Sequence, residues 1–317
     1  MKKLTIIDIA RMAGVGKSTV SRVINGDPGV KRATKEKVLK VIEEVNFIPS
    51  RSAQSMRLKQ NKVIGIINTR LGSRSENKTI KGILEVLYKN NYDVIILESD
   101  FSREKTVEHM DVLREKNIAG VIIFAISGMD YAFLEKMDIP VVMVAKEVEN
   151  FTSIAYDDYS AIKSVMGYLE EEGRSRIAYI GVDHRDITTG YIRYSAYRDW
   201  CKTNKQKDIS RFGDFSYESG YRLAKEIFEA ERDIEAVVCA TDNIALGVRK
   251  FLTEGAMENI VVTGIGNDKL LKFLYEDHIS INFRYDEAGR KAARSIVKKI
   301  QGEEVENTLI EGELVKL

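Results

Sequence analysis

Two cationic residues follow apolar runs in the first half of the chain and could bind a phosphate group. Arg70 comes directly after VIGIINT and opens the segment RLGSRSE, and Lys146 follows PVVMVA. Guanidinium and ammonium groups bind phosphate oxygens strongly, and a helix starting within RLGSRSE would add free backbone N–H donors. We therefore predict that Arg70 and Lys146 form a phosphate clamp, flanked by Leu71, Gly72, Ser73, Arg74, Ser75 and Glu76.

Polar residues after two later apolar runs could bind the hydroxyl groups of a sugar. RIAYIGV leads to Asp186, Thr188, Thr189, Gly190 and Arg193, and AVVCA leads to Thr241, Asp242 and Asn243. Carboxylates accept hydrogen bonds from sugar hydroxyls, and guanidinium groups donate to them. Any one of these residues could instead be a helix cap or an exposed loop charge, but the set favours a cleft for a phosphorylated sugar.

The charge of the chain is divided unevenly between its N-terminal segment and the remainder. Residues 1–62 hold 14 Lys/Arg and 5 Asp/Glu, whereas residues 63–317 hold 35 Lys/Arg and 43 Asp/Glu. Clustered cations bind polyanions such as DNA, because binding releases condensed counterions. A basic segment can also be no more than a solvated surface, so the charge alone leaves both interpretations open.

Three short helical patterns fit within the first 46 residues. We expect Thr5 to cap a helix that runs to about Ala13 and ends at Gly14, and GKSTVSRVING to begin a second helix. Thr34 is predicted to cap a third helix, whose buried stripe is Val38, Leu39, Val41, Ile42 and Val45. Two helices joined by a tight glycine-containing turn are typical of a helix-turn-helix, which places its second helix in a major groove.

The second predicted helix carries short polar and basic side chains that could recognise DNA. Lys17, Ser18 and Arg22 are candidates for base edges, because Lys and Arg donate to guanine acceptors. The candidates for positioning the phosphate backbone are Thr19, Ser21 and Asn25, and Thr5 completes the predicted set. A small helical bundle with a polar outer face would show the same periodicity.

From residue 62 onward, apolar runs alternate with amphipathic stretches. Buried strands are predicted for VIGIINT, YDVIILES, AGVIIFAI, PVVMVAK, RIAYIGV, AVVCATD, IVVTGIG and ISINFRY, and a final strand for LIEGELVKL. Helices are expected over ENKTIKGILEVLYKNN and SREKTVEHMDVLREK, and near 158–172, 190–203, 217–230, 243–254 and 286–301. This alternation predicts an α/β core of two doubly wound parallel-sheet lobes, in which ligands bind beyond the carboxyl ends of the strands.

The string LTIIDIARMAGVGKSTVSRVING closely resembles the headpiece signature of the LacI family, and the likeness continues through VNFIPSRSAQSMR. The resemblance implies a DNA-binding regulator with an all-α helix-turn-helix headpiece and a core like the periplasmic binding proteins. It also implies that Ser50 to Leu58 is a hinge that becomes helical on DNA. In that hinge Arg51 and Ala53 would face the groove, and Met56 would insert where the family more often has Leu. An inert linker is the alternative for this segment.

Several motifs of the core resemble the members of this family whose effector is trehalose 6-phosphate. They are TRLGSRSEN, LESDFS, YDD, DITTGYIRYSAY, CATDNIALG and Tyr285 with EAGR. The likeness implies a cleft lined by Arg70, Ser73, Glu76, Ala125, Lys146, the segment from Asp186 through Ile187 to Gly190, Arg193, Thr241 and Tyr285. Lys146 stands where an Arg is expected, which keeps the charge but loses the bidentate fork.

We predict a headpiece over residues 1–48, a hinge over 49–61 and a two-lobed core over 62–317. Lobe 1 is expected near 62–157 and 286–301, and lobe 2 near 158–282 and 305–317. The expected partners are double-stranded operator DNA, a trehalose 6-phosphate effector that releases the repressor from DNA, and a second copy of the chain. A homodimer is expected because no heptad tail follows LIEGELVKL. A corepressor mode or another sugar effector is the alternative.

Other classes of protein fit the sequence less well. The chain shows no apolar stretch of signal-peptide or membrane-spanning length, so we expect a cytoplasmic protein without membrane contact. A sugar-binding transport receptor would share the core but not the basic headpiece. An enzyme is not expected either, because the chain's histidines are scattered and no Gly-rich phosphate fingerprint or metal-ligand spacing appears. No metal or other cofactor is therefore predicted, and Cys201 and Cys239 are expected to be free thiols.

Overall fold

The structure, a computed structural model, describes residues 4–24, 26–47 and 62–316. Its two compact units are Met1–Lys62 and Val63–Leu317. Four residues predicted to contact DNA, Asn25, Arg51, Ala53 and Met56, lie outside the described residues. Within the described ranges, none of the helices combines the length and hydropathy needed to cross a bilayer.

Three helices build the N-terminal unit, namely α1 (Ile6–Met12), α2 (Lys17–Ile24) and α3 (Arg32–Glu44). Thr5 caps α1 as expected, since its side chain accepts the Asp8 N–H while the Asp8 carboxylate accepts the Thr5 N–H at 2.9 Å. The predicted cap at Thr34 is wrong. Helix α3 starts after Lys31, which makes no side-chain cap bond, so Thr34 already lies inside the helix.

The core of the N-terminal unit joins one face of each helix. Its buried side chains are Ile9, Ala10, Ala13, Val20, Val23, Val38 and Phe47. Leu39 was expected among them, but it is 44% exposed because it lies one position round α3 from the buried Val38. Gly14 has a φ of 59°, which lets the chain turn sharply after α1 so that α2 can pack against it.

The first six-stranded sheet of the second unit is parallel throughout and has the order β11-β5-β4-β3-β1-β2. Its strands are β1 (Val63–Asn68), β2 (Asp93–Glu98), β3 (Gly120–Phe124), β4 (Val141–Ala145), β5 (Thr152–Tyr156) and β11 (Thr308–Ile310). Its helices are α4 (Arg74–Lys89), α5 (Arg103–Glu115), α6 (Ala132–Glu135) and α12 (Tyr285–Ile300). We call this sheet with its helices lobe 1.

The second six-stranded sheet has the order β12-β10-β9-β8-β6-β7. Its strands are β6 (Ile177–Val182), β7 (Ser210–Gly213), β8 (Ala236–Cys239), β9 (Val261–Ile265), β10 (Ile279–Asn282) and β12 (Glu313–Val315). The accompanying helices are α7 (Asp158–Glu171), a π-helical segment (Ile187–Ile192), α8 (Arg193–Thr203), α9 (Tyr217–Ala230), α10 (Asp242–Glu254) and α11 (Lys269–Leu274). We call this sheet with its helices lobe 2, and Cys201 and Cys239 are buried free thiols within it.

The end of the chain differs from the sequence-based prediction of one final strand in lobe 2. Strand β11 pairs with β5 in lobe 1, and β12 pairs antiparallel with β10 in lobe 2. The sequence also does not predict β5 or β7. Strand β2 is less buried than expected because it is the edge strand of its sheet. Each lobe is therefore completed by a segment that is remote along the chain.

Reciprocal glycine contacts hold the two helix pairs that flank the sheets. A Cβ on Gly289 of α12 would lie 1.9 Å from the Thr79 carbonyl oxygen of α4, and one on Gly82 would lie 2.0 Å from the Asp286 carbonyl oxygen. In lobe 2, Gly247 of α10 meets the backbone of α9 in the same way. These helices can approach so closely only because the side chain is absent.

Candidate functional site

A cavity of about 140 Å³ lies between the two lobes, where loops follow the strands of both sheets. Lobe 1 contributes Thr69, Arg70, Ser73, Arg74, Ser75, Glu76, Thr79, Phe101, Phe124, Ala125, Ala145, Tyr156 and Tyr285. Lobe 2 contributes Asp158, Asp186, Thr188, Thr189, Arg193, Phe215, Thr241, Asp242, Asn243, Ile265, Gly266 and Asp268. The position agrees with the rule that open α/β sheets bind ligands beyond the carboxyl ends of their strands.

Most of the residues predicted for the effector cleft line this cavity. They are Arg70, Ser73, Arg74, Ser75, Glu76, Ala125, Asp186, Thr188, Thr189, Arg193, Thr241 and Tyr285. Three of them cap helical segments: the side chains of Ser73, Asp186 and Thr241 accept backbone N–H groups of the first turns that follow. Helical N-termini that meet at one cavity provide a positive electrostatic environment for an anion.

The structure does not place four other predicted residues, Leu71, Gly72, Ile187 and Gly190, in the lining of this cavity. Leu71 is 51% exposed, and its N–H donates to the Glu98 carboxylate at 2.6 Å. Ile187 is also exposed, and Gly190 is buried where a Cβ would lie 2.2 Å from the Asp183 carbonyl oxygen. These residues belong to the loops around the cavity, and neighbouring residues of the same loops line it.

Lys146 is not among the residues that line this cavity. It lines a second cavity, in lobe 1, together with Glu147, Glu149 and residues near Tyr131. The preceding residue, Ala145, lines the first cavity and has a φ of 84°, so the chain turns at this point. Arg70 and Lys146 therefore line different cavities, and the phosphate clamp of these two residues stays a prediction from the sequence.

Two aromatic residues that the sequence analysis missed hold the Arg70 side chain. The rings of Phe101 and Phe215 are stacked, with centroids 6.0 Å apart and an interplanar angle of 10°. The Arg70 guanidinium lies over the Phe215 ring, 4.2 Å from its centroid, and 5.4 Å from the centroid of Phe101. Phe101 follows β2 and Phe215 follows β7, so this pair of rings joins the two lobes. The positions after strand ends could have signalled both residues.

Arg193 is the second arginine of the cavity, and Asp158 neutralises it. Its Nε and Nη2 donate to Asp158 Oδ1 at 2.7 and 2.6 Å, Nη1 donates to the Ala240 carbonyl, and both side chains are almost fully buried. Burial acts to lower the pKa of Arg193, but the adjacent carboxylate outweighs it and raises that pKa. This ion pair is an internal part of the wall and leaves no net positive charge for a ligand.

Glu76 shapes the strand-to-helix loop that carries Arg70. Its carboxylate accepts the backbone N–H of Thr69 at 2.8 Å and of Arg70 at 3.2 Å, and it also accepts the Thr69 hydroxyl. Burial raises the pKa of Glu76, although these hydrogen bonds oppose the rise. Glu76 therefore fixes the backbone from which the Arg70 side chain extends.

Among the described residues, one arginine of the cavity has no carboxylate within ion-pair distance, although its charge acts on Glu76 and Asp214. Arg74 pairs with Asp268 at 2.7 Å, and Arg193 pairs with Asp158. Among the described residues, no carboxylate forms an ion pair with Arg70, and its buried Nε has no hydrogen-bond partner. A buried donor without a partner is costly, so the site is suited to an anionic ligand that supplies the missing acceptor.

The N-terminal unit presents a second candidate surface on helix α2. Lys17, Ser18 and Arg22 are exposed, whereas Val20 and Val23 face the core. Thr19 and Ser21 are partly buried beside them. The described part of α2 thus separates polar from apolar side chains as a recognition helix requires.

Comparison with known proteins identifies both units. Residues 5–50 match the model of bacterial regulatory proteins of the lacI family, and residues 62–317 match that of periplasmic binding proteins and the sugar-binding domain of the LacI family. The HTH-type transcriptional regulator TreR of Escherichia coli strain K12 is 40% identical over 300 residues, which cover 95% of each chain.

Solved structures show the same likeness. The trehalose repressor from Escherichia coli superposes with a TM-score of 0.77 at 35% identity, covering 81% of this chain and 100% of that one. A lac repressor dimer bound to operator superposes with a TM-score of 0.88 at 24% identity, covering 99% of this chain and 98% of that one, and shows the fold alone.

Proposed function

Since the chain belongs to the LacI family of bacterial regulatory proteins, we propose that it represses an operon for trehalose uptake or utilisation and leaves its operator when trehalose 6-phosphate binds between the lobes. The similarity to transcriptional regulators of the trehalose system supports the choice of operon. In this proposal the protein acts in the cytoplasm as a homodimer, and its two-fold symmetry requires a pseudo-palindromic operator.

The observation that carries the effector assignment is the guanidinium of Arg70 in the cavity between the lobes, which forms no ion pair with any described residue. The other two arginines of the lining are neutralised by Asp158 and Asp268. A phosphate group would supply the acceptor that the buried Arg70 Nε lacks. The capping residues Ser73, Asp186 and Thr241 mark further donors and acceptors around the same space.

The rest of the lining suits the disaccharide part of such an effector. The stacked rings of Phe101 and Phe215 offer flat apolar surfaces for the C–H faces of a pyranose ring. Asp186 and Asn243 carry polar groups that can bind hydroxyls. Because the lining comes from both lobes, an effector held there would favour one lobe arrangement over others.

DNA recognition is assigned to the headpiece. We propose that Lys17, Ser18 and Arg22 contact base edges, with Thr5, Thr19, Ser21 and Asn25 on the phosphate backbone and with Arg51, Ala53 and Met56 in the hinge. The exposure of the first three on α2 supports their part of this assignment. Repression is released when effector binding shifts the population to lobe arrangements that hold operator less tightly.

The test is a fluorescence anisotropy titration of the full-length protein with a duplex selected from a random pool. At fixed salt, we expect tight binding without effector and at least tenfold weaker binding with saturating trehalose 6-phosphate. Trehalose and glucose 6-phosphate are the matched controls and should have little effect. Equal affinity with and without trehalose 6-phosphate would contradict the effector assignment, and tighter binding would show a corepressor.

A further inference from the structure

Helix α4 of lobe 1 binds a loop of lobe 2, residues 266–268, that contributes Gly266 and Asp268 to the cavity lining. Lys78 Nζ donates to the carbonyl oxygens of Gly266 at 2.8 Å and Asn267 at 2.9 Å. One turn earlier on the same helix, Arg74 Nη1 lies 2.7 Å from Asp268 Oδ1. Two cations of one lobe thus hold the backbone and side chain of the loop 266–268 in the other.

The loop 266–268 is also hydrogen-bonded to other residues of lobe 2. The Asp268 N–H donates to Asp242 Oδ2 at 2.7 Å, and Ser280 Oγ donates to Asp242 Oδ1 at 2.8 Å. The Asn267 N–H donates to the same Ser280 hydroxyl at 2.9 Å. These hydrogen bonds couple the loop to the rest of lobe 2. A displacement of the loop therefore displaces lobe 2.

We propose that Lys78 is a positioning residue for the effector response, because it holds lobe 2 closed on lobe 1 without touching the effector. Lys78 is half-buried but is not part of the cavity lining, and its hydrogen bonds exist only while the two lobes are together. Burial lowers the pKa of Lys78, and the nearby Asp268 opposes that change. The inference rests on the proposed function, since it concerns the closure that makes the cleft.

A second interlobe contact far from Lys78 offers an independent measure of closure. The backbone N–H of Ile187 in lobe 2 donates to Ser127 Oγ in lobe 1 at 2.9 Å. If Lys78 controls closure, its loss breaks this hydrogen bond more often, so the amide exchanges faster even though neither Ile187 nor Ser127 bonds to Lys78. If Lys78 only stiffens its own loop, the Ile187 amide stays protected.

The experiment compares the full-length wild type with Lys78→Met and with Lys81→Met, which removes an exposed lysine from the same helix. Hydrogen exchange without ligand should be about tenfold faster at Ile187 in Lys78→Met and unchanged in Lys81→Met, because charge-assisted hydrogen bonds are lost only in the first. The Kd for trehalose 6-phosphate by calorimetry should rise about tenfold in Lys78→Met alone.

The outcomes separate this inference from the proposed function. Faster exchange confined to residues near the loop 266–268, with Ile187 as in the wild type, would overturn the role of Lys78 in closure. If the wild type does not bind trehalose 6-phosphate, the effector assignment fails, and the exchange at Ile187 still decides whether Lys78 controls the lobes.

Discussion

Replacing two of the three cavity arginines, Arg70 and Arg193, one at a time should separate the effect on ligand binding from the effect on stability. Arg70 has no ion pair within the described residues, its guanidinium contacts the rings of Phe215 and Phe101, and its Nε has no partner. Arg193 is the matched control, since it lines the same cavity but is bound to the buried carboxylate of Asp158. The perturbations are Arg70→Met and Arg193→Met.

The contacts set the expected magnitudes. Arg70→Met loses a cation–π contact of about 0.5 to 2 kcal/mol but relieves an unpartnered buried donor of about 1 to 3 kcal/mol, so the free energy of unfolding should change little. The same change removes a charge-assisted bond to phosphate, about 2 kcal/mol, so the Kd for trehalose 6-phosphate should rise about thirtyfold. Arg193→Met leaves Asp158 buried without its cation, which costs about 3 to 5 kcal/mol of stability.

Thermal unfolding with and without trehalose 6-phosphate measures both effects. At a ligand concentration of about 100 times the wild-type Kd, binding stabilises the wild type by about 2.7 kcal/mol, and a thirtyfold weaker site leaves about 0.9 kcal/mol. The ligand-induced rise in Tm should therefore shrink to about a third in Arg70→Met, whereas Arg193→Met should lower the ligand-free Tm by about 10 °C. A ligand-free Tm lowered equally by both substitutions would refute the reasoning.

Three further predictions concern packing, DNA binding and pH. Gly289→Ala should destabilise the core by about 2 kcal/mol, because the new methyl group would clash with the Thr79 carbonyl oxygen. Gly167→Ala should stabilise the core by about 0.5 to 1 kcal/mol, because a Cβ there meets nothing within 4 Å. Urea denaturation should show these opposite changes in the free energy of unfolding. Arg22→Ala should weaken operator binding by about 1 to 3 kcal/mol in anisotropy titrations, and unchanged affinity would contradict its place on a recognition helix. Burial raises the pKa of Glu76, so the folded state favours its protonated form and stability falls as pH rises through that raised pKa. The Tm of Glu76→Gln should therefore depend less on pH above 4.5 than the Tm of the wild type. Parallel curves of Tm against pH for the variant and the wild type would count against this.

Much of the fold could be predicted from local patterns. The alternation of apolar runs and amphipathic stretches predicted most of the helices and strands of the core, because buried parallel strands read as continuous apolar segments. The short helices α6 and α11 were not predicted. Strands β5 and β7 were missed because their runs are short and partly polar. Thr34 failed as a cap because a threonine three residues into a helix carries the same local signal as one before it.

The sequence predicted where the candidate site lies but not all of the residues that line it. Arg70 follows a strand, and Ser73 and Thr241 follow strands and cap helices, so their types and order marked the cavity. Phe101 and Phe215 were missed because each is an ordinary aromatic residue until two distant segments stack them. Lys146 looked equivalent to Arg70, but a left-handed residue before it turns the chain toward another cavity.

The sequence by itself determined most of the elements, the basic headpiece and the family, since each depends on residues close together along the chain. Only the tertiary structure decided which charges of the cavity are neutralised. Arg74, Arg193 and Arg70 are chemically alike, yet Asp268 and Asp158 reach the first two from segments remote in sequence, while no carboxylate of the described residues forms an ion pair with the third. Electrostatic pairing acts across a few ångströms of space, whatever the separation along the chain.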